Sequence, residues 1–144
     1  VNTSTTRAAL LVIRPTADYP AGGKVNRQTI IPGDLSVIST GADVLVEIFY
    51  NPTVTGGSFT RADATSGVEV NTGATISATG ILMDSFFVPS GSGQQAGQSH
   101  DALSSYYPLT LDAAGLNPRG VMIAATTLSG NGTARAAITW SEVR

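Results

Sequence analysis

Hydrophobic and polar positions alternate along much of the chain with the period of two expected of extended backbone. The segment Asp43–Tyr50 shows it best. Val44, Val46, Ile48 and Tyr50 fall on one side, Leu45, Glu47 and Phe49 on the other. Both sides are largely apolar, which predicts a strand in the middle of a sheet, ended by Asn51-Pro52. The run Ala8 to Ile13 is wholly apolar and predicts a buried strand over Arg7–Arg14, closed by Pro15. Turn residues from Asp18 to Gly23 lead to strands at Val25–Ile31 and Leu35–Thr40, with Pro32-Gly33-Asp34 as the turn between them.

Beyond Pro52, Val54 to Thr60 reads as a turn entering a short strand, and Val68–Val70 as another. Ile76–Val88 reads as one long strand or two short ones bent at Gly80. Tyr107–Leu111, Val121–Leu128 and Ala134–Val143 complete the series. Ser129-Gly130-Asn131-Gly132 carries the Asn-Gly pair typical of a hairpin turn between the last two, and Ala113 to Pro118 reads as a connection. Two stretches lack the alternation. Residues 1–6 are polar and read as a flexible arm, leaving 7–144 as one domain. Pro89 to Ser99, rich in Gly, Ser and Gln, reads as an exposed mobile loop. About eight or nine strands at this spacing predict a single all-β domain, an antiparallel β-sandwich of jelly-roll type.

Composition strengthens that reading. The 144 residues hold 16 glycines, no cysteine and one lysine, Lys24, whereas long helices favour Ala, Leu, Glu, Lys, Gln and Arg. A chain of this length buries roughly 70% of its unfolded surface, enough for a core without disulfides. Charged residues make up 12% of the chain and the formal net charge is −2. The basic residues are scattered singly from Arg7 to Arg144, so the clustered cations that a phosphate backbone requires are missing and nucleic acid is not an expected partner. No apolar run nears the ~20 residues of a spanning helix, and no membrane insertion is expected.

The candidate chemistry is sparse. His100, the sole histidine, is followed by Asp101 and could serve as a base oriented by a carboxylate or as a metal ligand. Its reading as a polar loop residue is the stronger one, because a useful base needs a partner at hydrogen-bond distance and nothing in the sequence points to one. One histidine and no cysteine exclude the usual zinc sets. Asp43 and Glu47 share a strand face but stand roughly 13 Å apart at ~3.3 Å per residue, too far to grip one calcium ion. No metal or cofactor is expected. Glu47, an acid inside an apolar strand, predicts an arginine partner such as Arg27, Arg61 or Arg135. Trp140 alternates with Ala136 and Ile138, which predicts core packing rather than a sugar platform. The sequon-like triplets Asn2-Thr3-Ser4 and Asn131-Gly132-Thr133 read as accidental.

Three stretches together resemble β-rich modules of tailed-bacteriophage virion proteins. They are Lys24-Val25-Asn26-Arg27, the run from Val44 through Tyr50-Asn51-Pro52 to Phe59-Thr60, and Val68-Glu69-Val70-Asn71. The ending, Tyr107 to Asp112 and Ala137 to Val143, is similar to theirs as well, so the resemblance covers residues 7–143. It implies a non-catalytic virion part, in head decoration or in a tail fibre or spike, assembled in the host cytoplasm. It also implies self-association, most plausibly as a trimer closed by heterologous contacts, and binding to other virion proteins. The alternative is a carbohydrate- or receptor-binding tip using the loop from Pro89 to Tyr107, with Gln94, Gln95, Gln98, His100, Asp101 and Tyr106 as contact residues. A hydrolase built on His100 or a carboxylate pair is the third reading, and no catalytic residue is assigned.

Overall fold

The computed structural model describes residues 1–19, 22–91, 96–100, 108–112, 115 and 117–143, with the backbone alone for Asn2 and for 96–100. Among them there is no helix. The strands are β1 (Asn2–Thr3), β2 (Ala8–Pro15), β3 (Asp18–Tyr19), β4 (Lys24–Val25), β5 (Thr29–Thr40), β6 (Val44–Tyr50) and β7 (Thr53–Thr55). They continue with β8 (Thr60–Arg61), β9 (Val68–Asn71), β10 (Thr75–Ala78), β11 (Ile81–Val88), β12 (Ala96–His100), β13 (Val121–Thr127) and β14 (Gly132–Val143).

Eight of these strands pair as a nest around the middle of the chain. The outermost pair is β1 with β14, then β2 with β13, β5 with β12, and innermost β6 with β11, all antiparallel. Two cross-pairings, β14 with β5 and β13 with β6, fold this nest over on itself. The result is two sheets, β1-β14-β5-β12 and β11-β6-β13-β2-β9-β8. That order is the jelly roll: a long double strand wrapped so that successive strands change sheets. Short insertions decorate it, with β3·β4 between β2 and β5, and β7 to β10 between β6 and β11.

The core lies between the sheets. Ile30, Leu35 and Val37 from the four-stranded sheet meet Ile13, Val46, Ile48 and Ile123 from the six-stranded one, all fully buried. Trp140, Ile138 and Ala136 of β14 are half-buried against the same cluster, as the alternation predicts. A second, smaller cluster lies on the outer face of the six-stranded sheet. There Ala9, Val12, Phe49, Met122 and Ala124 are covered by Val54, Phe59, Ala74 and Ile76 from the insertion.

Pro32-Gly33-Asp34 is not a turn. It lies inside the unbroken twelve-residue β5, where Ile138↔Leu35 and Trp140↔Pro32 are both in register, so Gly33 and Asp34 oppose Thr139 alone. This bulge switches the buried positions from Ile30 and Pro32 to Leu35, Val37 and Ser39, keeping both halves of the strand facing inward. Without the extra residue half of the apolar set would face solvent. Gly33 is required, since a Cβ there would meet Thr139 Oγ1 at 2.6 Å, and that hydroxyl accepts the Asp34 N–H at 2.9 Å. Ile30 exchanges both backbone hydrogen bonds with Leu109. Pro32, two residues on, therefore turns to the same side, beyond the end of β12, where a missing N–H costs no ladder bond.

Other expectations also change. Asn2 and Thr3 are not in a free arm but form β1, and the Val1 amine donates to Ala134 O at 3.1 Å. Ala96–His100, expected within or beside a loop, pairs as β12 with residues 35–39 of β5. Gly, Ser and Gln give no hydrophobic period, yet backbone hydrogen bonding alone suffices for an edge strand. From the expected strand Tyr107–Leu111 the described residues retain a single bridge, at Leu109. The Asn131-Gly132 turn links β13 to β14 without making a hairpin, because both edges of β13 are taken by β2 and β6. Gly80, at φ +79°, does separate β10 from β11.

Candidate functional site

Glu47, the acid that the sequence singles out inside an apolar strand, is bound up in structure. Glu47 lies on the outer face of β6, only 9% exposed, and accepts from Arg7 Nε at 2.6 Å and from its NH2 group at 2.8 Å. Arg7 replaces the expected Arg27, Arg61 or Arg135; forty residues separate the pair in sequence, and the β2·β13·β6 pairing brings them together. The guanidinium also lies 5.2 Å from the centre of the Phe49 ring. Its hydrogen bonds to Glu47 hold Arg7 above its ordinary pKa. A fork-to-carboxylate bond of this kind compensates the charge of the acid where it is buried.

Glu142 is similarly occupied. Oε1 accepts from Ser66 Oγ at 2.5 Å and from Trp140 Nε1 at 3.2 Å, and Oε2 accepts from the Gly67 N–H at 2.9 Å. Burial pushes its pKa up, but the hydrogen bonds from Ser66, Gly67, Trp140 and Gln28 outweigh burial and hold it below the ordinary carboxylate value. Around it Asn26 donates to Thr16 Oγ1 and Gly67 O, and Arg61 donates to Asp18 and Ser66 O. The network ties β14 to the 62–67 loop and to the β3·β4 insertion. Arg14 pairs with Glu69 at 2.6 Å across β2 and β9 and stacks 3.6 Å above the Phe59 ring. These carboxylates hold strands in place.

A concavity of about 640 Å³ is lined by Thr3, Ser4, Thr40, Gly41, Asn131, Gly132 and Thr133. Hydroxyls, one amide and backbone groups line it, with no acid, base or cation. Among the described residues no three of His, Cys, Asp and Glu gather to hold a metal ion. Gln94, Gln95, Asp101 and Tyr106 lie outside the described residues. The backbone of Gln98 and His100 is in β12, in register with Val37 and Leu35.

The sequence reading placed a strand here and missed that β11 is an open sheet edge. It closes one side of the six-stranded sheet, pairs with β6 on one edge, and has no strand on the other among the described residues. Ile81, Leu82 and Phe87 are 57%, 52% and 60% exposed. Phe87, Leu45 and Thr126 stand side by side across β11, β6 and β13 on the outer face. Leu128, 55% exposed, follows two residues beyond Thr126. The insertion that covers Phe49 and Met122 does not cover this half. Edge strands are normally guarded by lysine, proline, a β-bulge or an inward charge. β11 has neither Lys nor Pro, and its guards are a bulge at Met83 and Asp84, in register with the core-facing Ile48. The signal in the sequence was a strand largely apolar on both faces with neither lysine nor proline. No family model matches the chain, and neither a curated protein nor a solved structure does.

Proposed function

We propose that the protein is a non-catalytic structural part of a bacteriophage particle, working by self-association and by binding to other virion proteins. The observation that carries this reading is the open β11 edge, with no strand beside it among the described residues, and its exposed apolar side chains. A strand edge with exposed Ile81, Leu82 and Phe87 invites backbone pairing and burial of apolar surface together. Covering a large apolar side chain contributes about 1.5–3 kcal/mol, so a few such residues support an interface. The occupant is a second copy of the chain, and three copies closing a ring is the expected form. The jelly-roll order is compatible, being shared by viral shell proteins, lectins and cupins, and the phage assignment itself rests on the sequence resemblance.

Light scattering, with sedimentation of the chain alongside purified particles, tests the proposal. A trimer mass or stable binding to particles is the expected result. A strict monomer that ignores the particles overturns it.

A further inference from the structure

We propose that Asn131 is a site of spontaneous deamidation, and that the reaction loosens the clasp between β1 and β14. The chain has six asparagines, and the structure disables most of the others. The reaction begins when the backbone nitrogen of the next residue attacks the side-chain carbonyl carbon. Asn51 and Asn117 precede prolines, which have no N–H to give up. Asn26 and Asn71 are buried at 1% and 2% exposure. Their amides are tied down, Asn26 to Thr16 and Gly67 O, and Asn71 to Gly56 O and the Gly73 N–H. Asn2 is followed by the β-branched Thr3, which crowds the attacking nitrogen.

Asn131 combines the opposite features. It is exposed in the turn between β13 and β14, and among the described residues its amide makes no hydrogen bond. The next residue is Gly132, whose missing side chain spares the nitrogen the crowding of a Cβ. Its N–H is held only by the two-pair β1 ladder opposite Thr3, which frays at the chain end. Gly130, on its other side, sits at φ +65° with open space around it.

The Gly132 nitrogen, losing its proton to base, bonds to Asn131 Cγ. The Cγ–Nδ2 bond breaks, ammonia leaves, and a five-membered succinimide closes. Water then opens the ring at either carbonyl, giving aspartate or isoaspartate. The second product inserts a methylene into the backbone immediately before Gly132. There Gly132 pairs with Thr3, and Thr133 pairs with Asn2 on one side and Thr40 on the other. The clasp on β1 has only these two register pairs, so it is the first structure to loosen.

Incubation of the full chain in mildly alkaline buffer, followed by peptide mapping with isoaspartate detection, tests this. The expected result is an amide-to-acid mass gain found first in the peptide holding Asn131, lost in Asn131→Gln, with faster proteolysis of the 1–6 segment in the aged wild type. The variant Asn131→Asp, tested unaged so that it carries the charge without the inserted methylene, should keep its segment protected. Conversion of another asparagine ahead of Asn131 overturns the site. Intact Asn131 while the urea-unfolded chain converts overturns it equally. Unchanged proteolysis in a fully isomerised sample overturns the clasp.

Discussion

Two phenylalanines on one face of one sheet divide the molecule. Phe49 on β6 and Phe87 on β11 both point outward from the six-stranded sheet, yet Phe49 is 4% exposed and Phe87 is 60% exposed. The difference comes from the insertion between β6 and β11. Val54, Phe59, Ala74 and Ile76 lie over Phe49, Met122 and the small Ala9 and Ala124, and end before Leu45 and Phe87. Arg7 closes the seam between the two halves by reaching Glu47 and lying on the Phe49 ring. One half of the face is a second core made within the chain. The other half is left bare by the described residues, with Phe87 and Leu128 exposed, and under the proposed function it is where a second copy docks. One sheet face can thus be closed by its own chain at one end and left open at the other.

The sharpest way to separate the halves is to truncate each phenylalanine. Phe49→Ala should lose about 3–5 kcal/mol, the cost of a large cavity in a packed cluster, seen as a lower urea midpoint at unchanged slope. An equal loss for Phe87→Ala in the dissociated chain would erase the distinction. Arg7→Ala should cost about 1–3 kcal/mol, because the buried Glu47 carboxylate loses both donors. Adding Glu47→Gln should recover part of that loss, and the double-mutant cycle measures the coupling.

A smaller effect is expected with acid. The folded Glu142 carboxylate titrates below its unfolded value, so its contribution is complete above the unfolded pKa and disappears as pH falls through the folded one. Thermal melts across the acid range should show Glu142→Gln with a flatter acid limb than the wild type; identical limbs would remove Glu142 from the account. The smallest stability effect belongs to Phe87→Ser, within about 0.5 kcal/mol in the monomer. Its expected consequence is loss of self-association in light scattering.

Much of the fold was legible in local sequence. The double-faced alternation of Val44–Tyr50 gave a central strand, Gly80 marked a bend, and Trp140 packed as its neighbours indicated. What local sequence could not convey is pairing at long range. The outermost pair joins Asn2 with Thr133 and the innermost joins Val44 with Val88, and only those partners show why Pro32-Gly33-Asp34 is a bulge rather than a turn. The Asn131-Gly132 turn misled for the same reason, since turn chemistry reports a reversal but not which sheet the next strand joins. Of the contact residues chosen from the 89–107 stretch, only the Gln98 and His100 backbones fall among the described residues, in β12. The candidate edge was recoverable in part: Ile81–Val88 is largely apolar on both faces and lacks lysine and proline, but its position at the side of a sheet is a property of topology.

Hydrogen exchange of the β11 amides, followed as protein concentration rises, addresses the assembly edge most directly. Pairing of β11 with a second copy should slow exchange across Ile81–Val88 in step with the growth in mass, while β13, already paired on both sides, stays unchanged. Exchange in β11 that ignores concentration, in a sample that does assemble, would contradict the account.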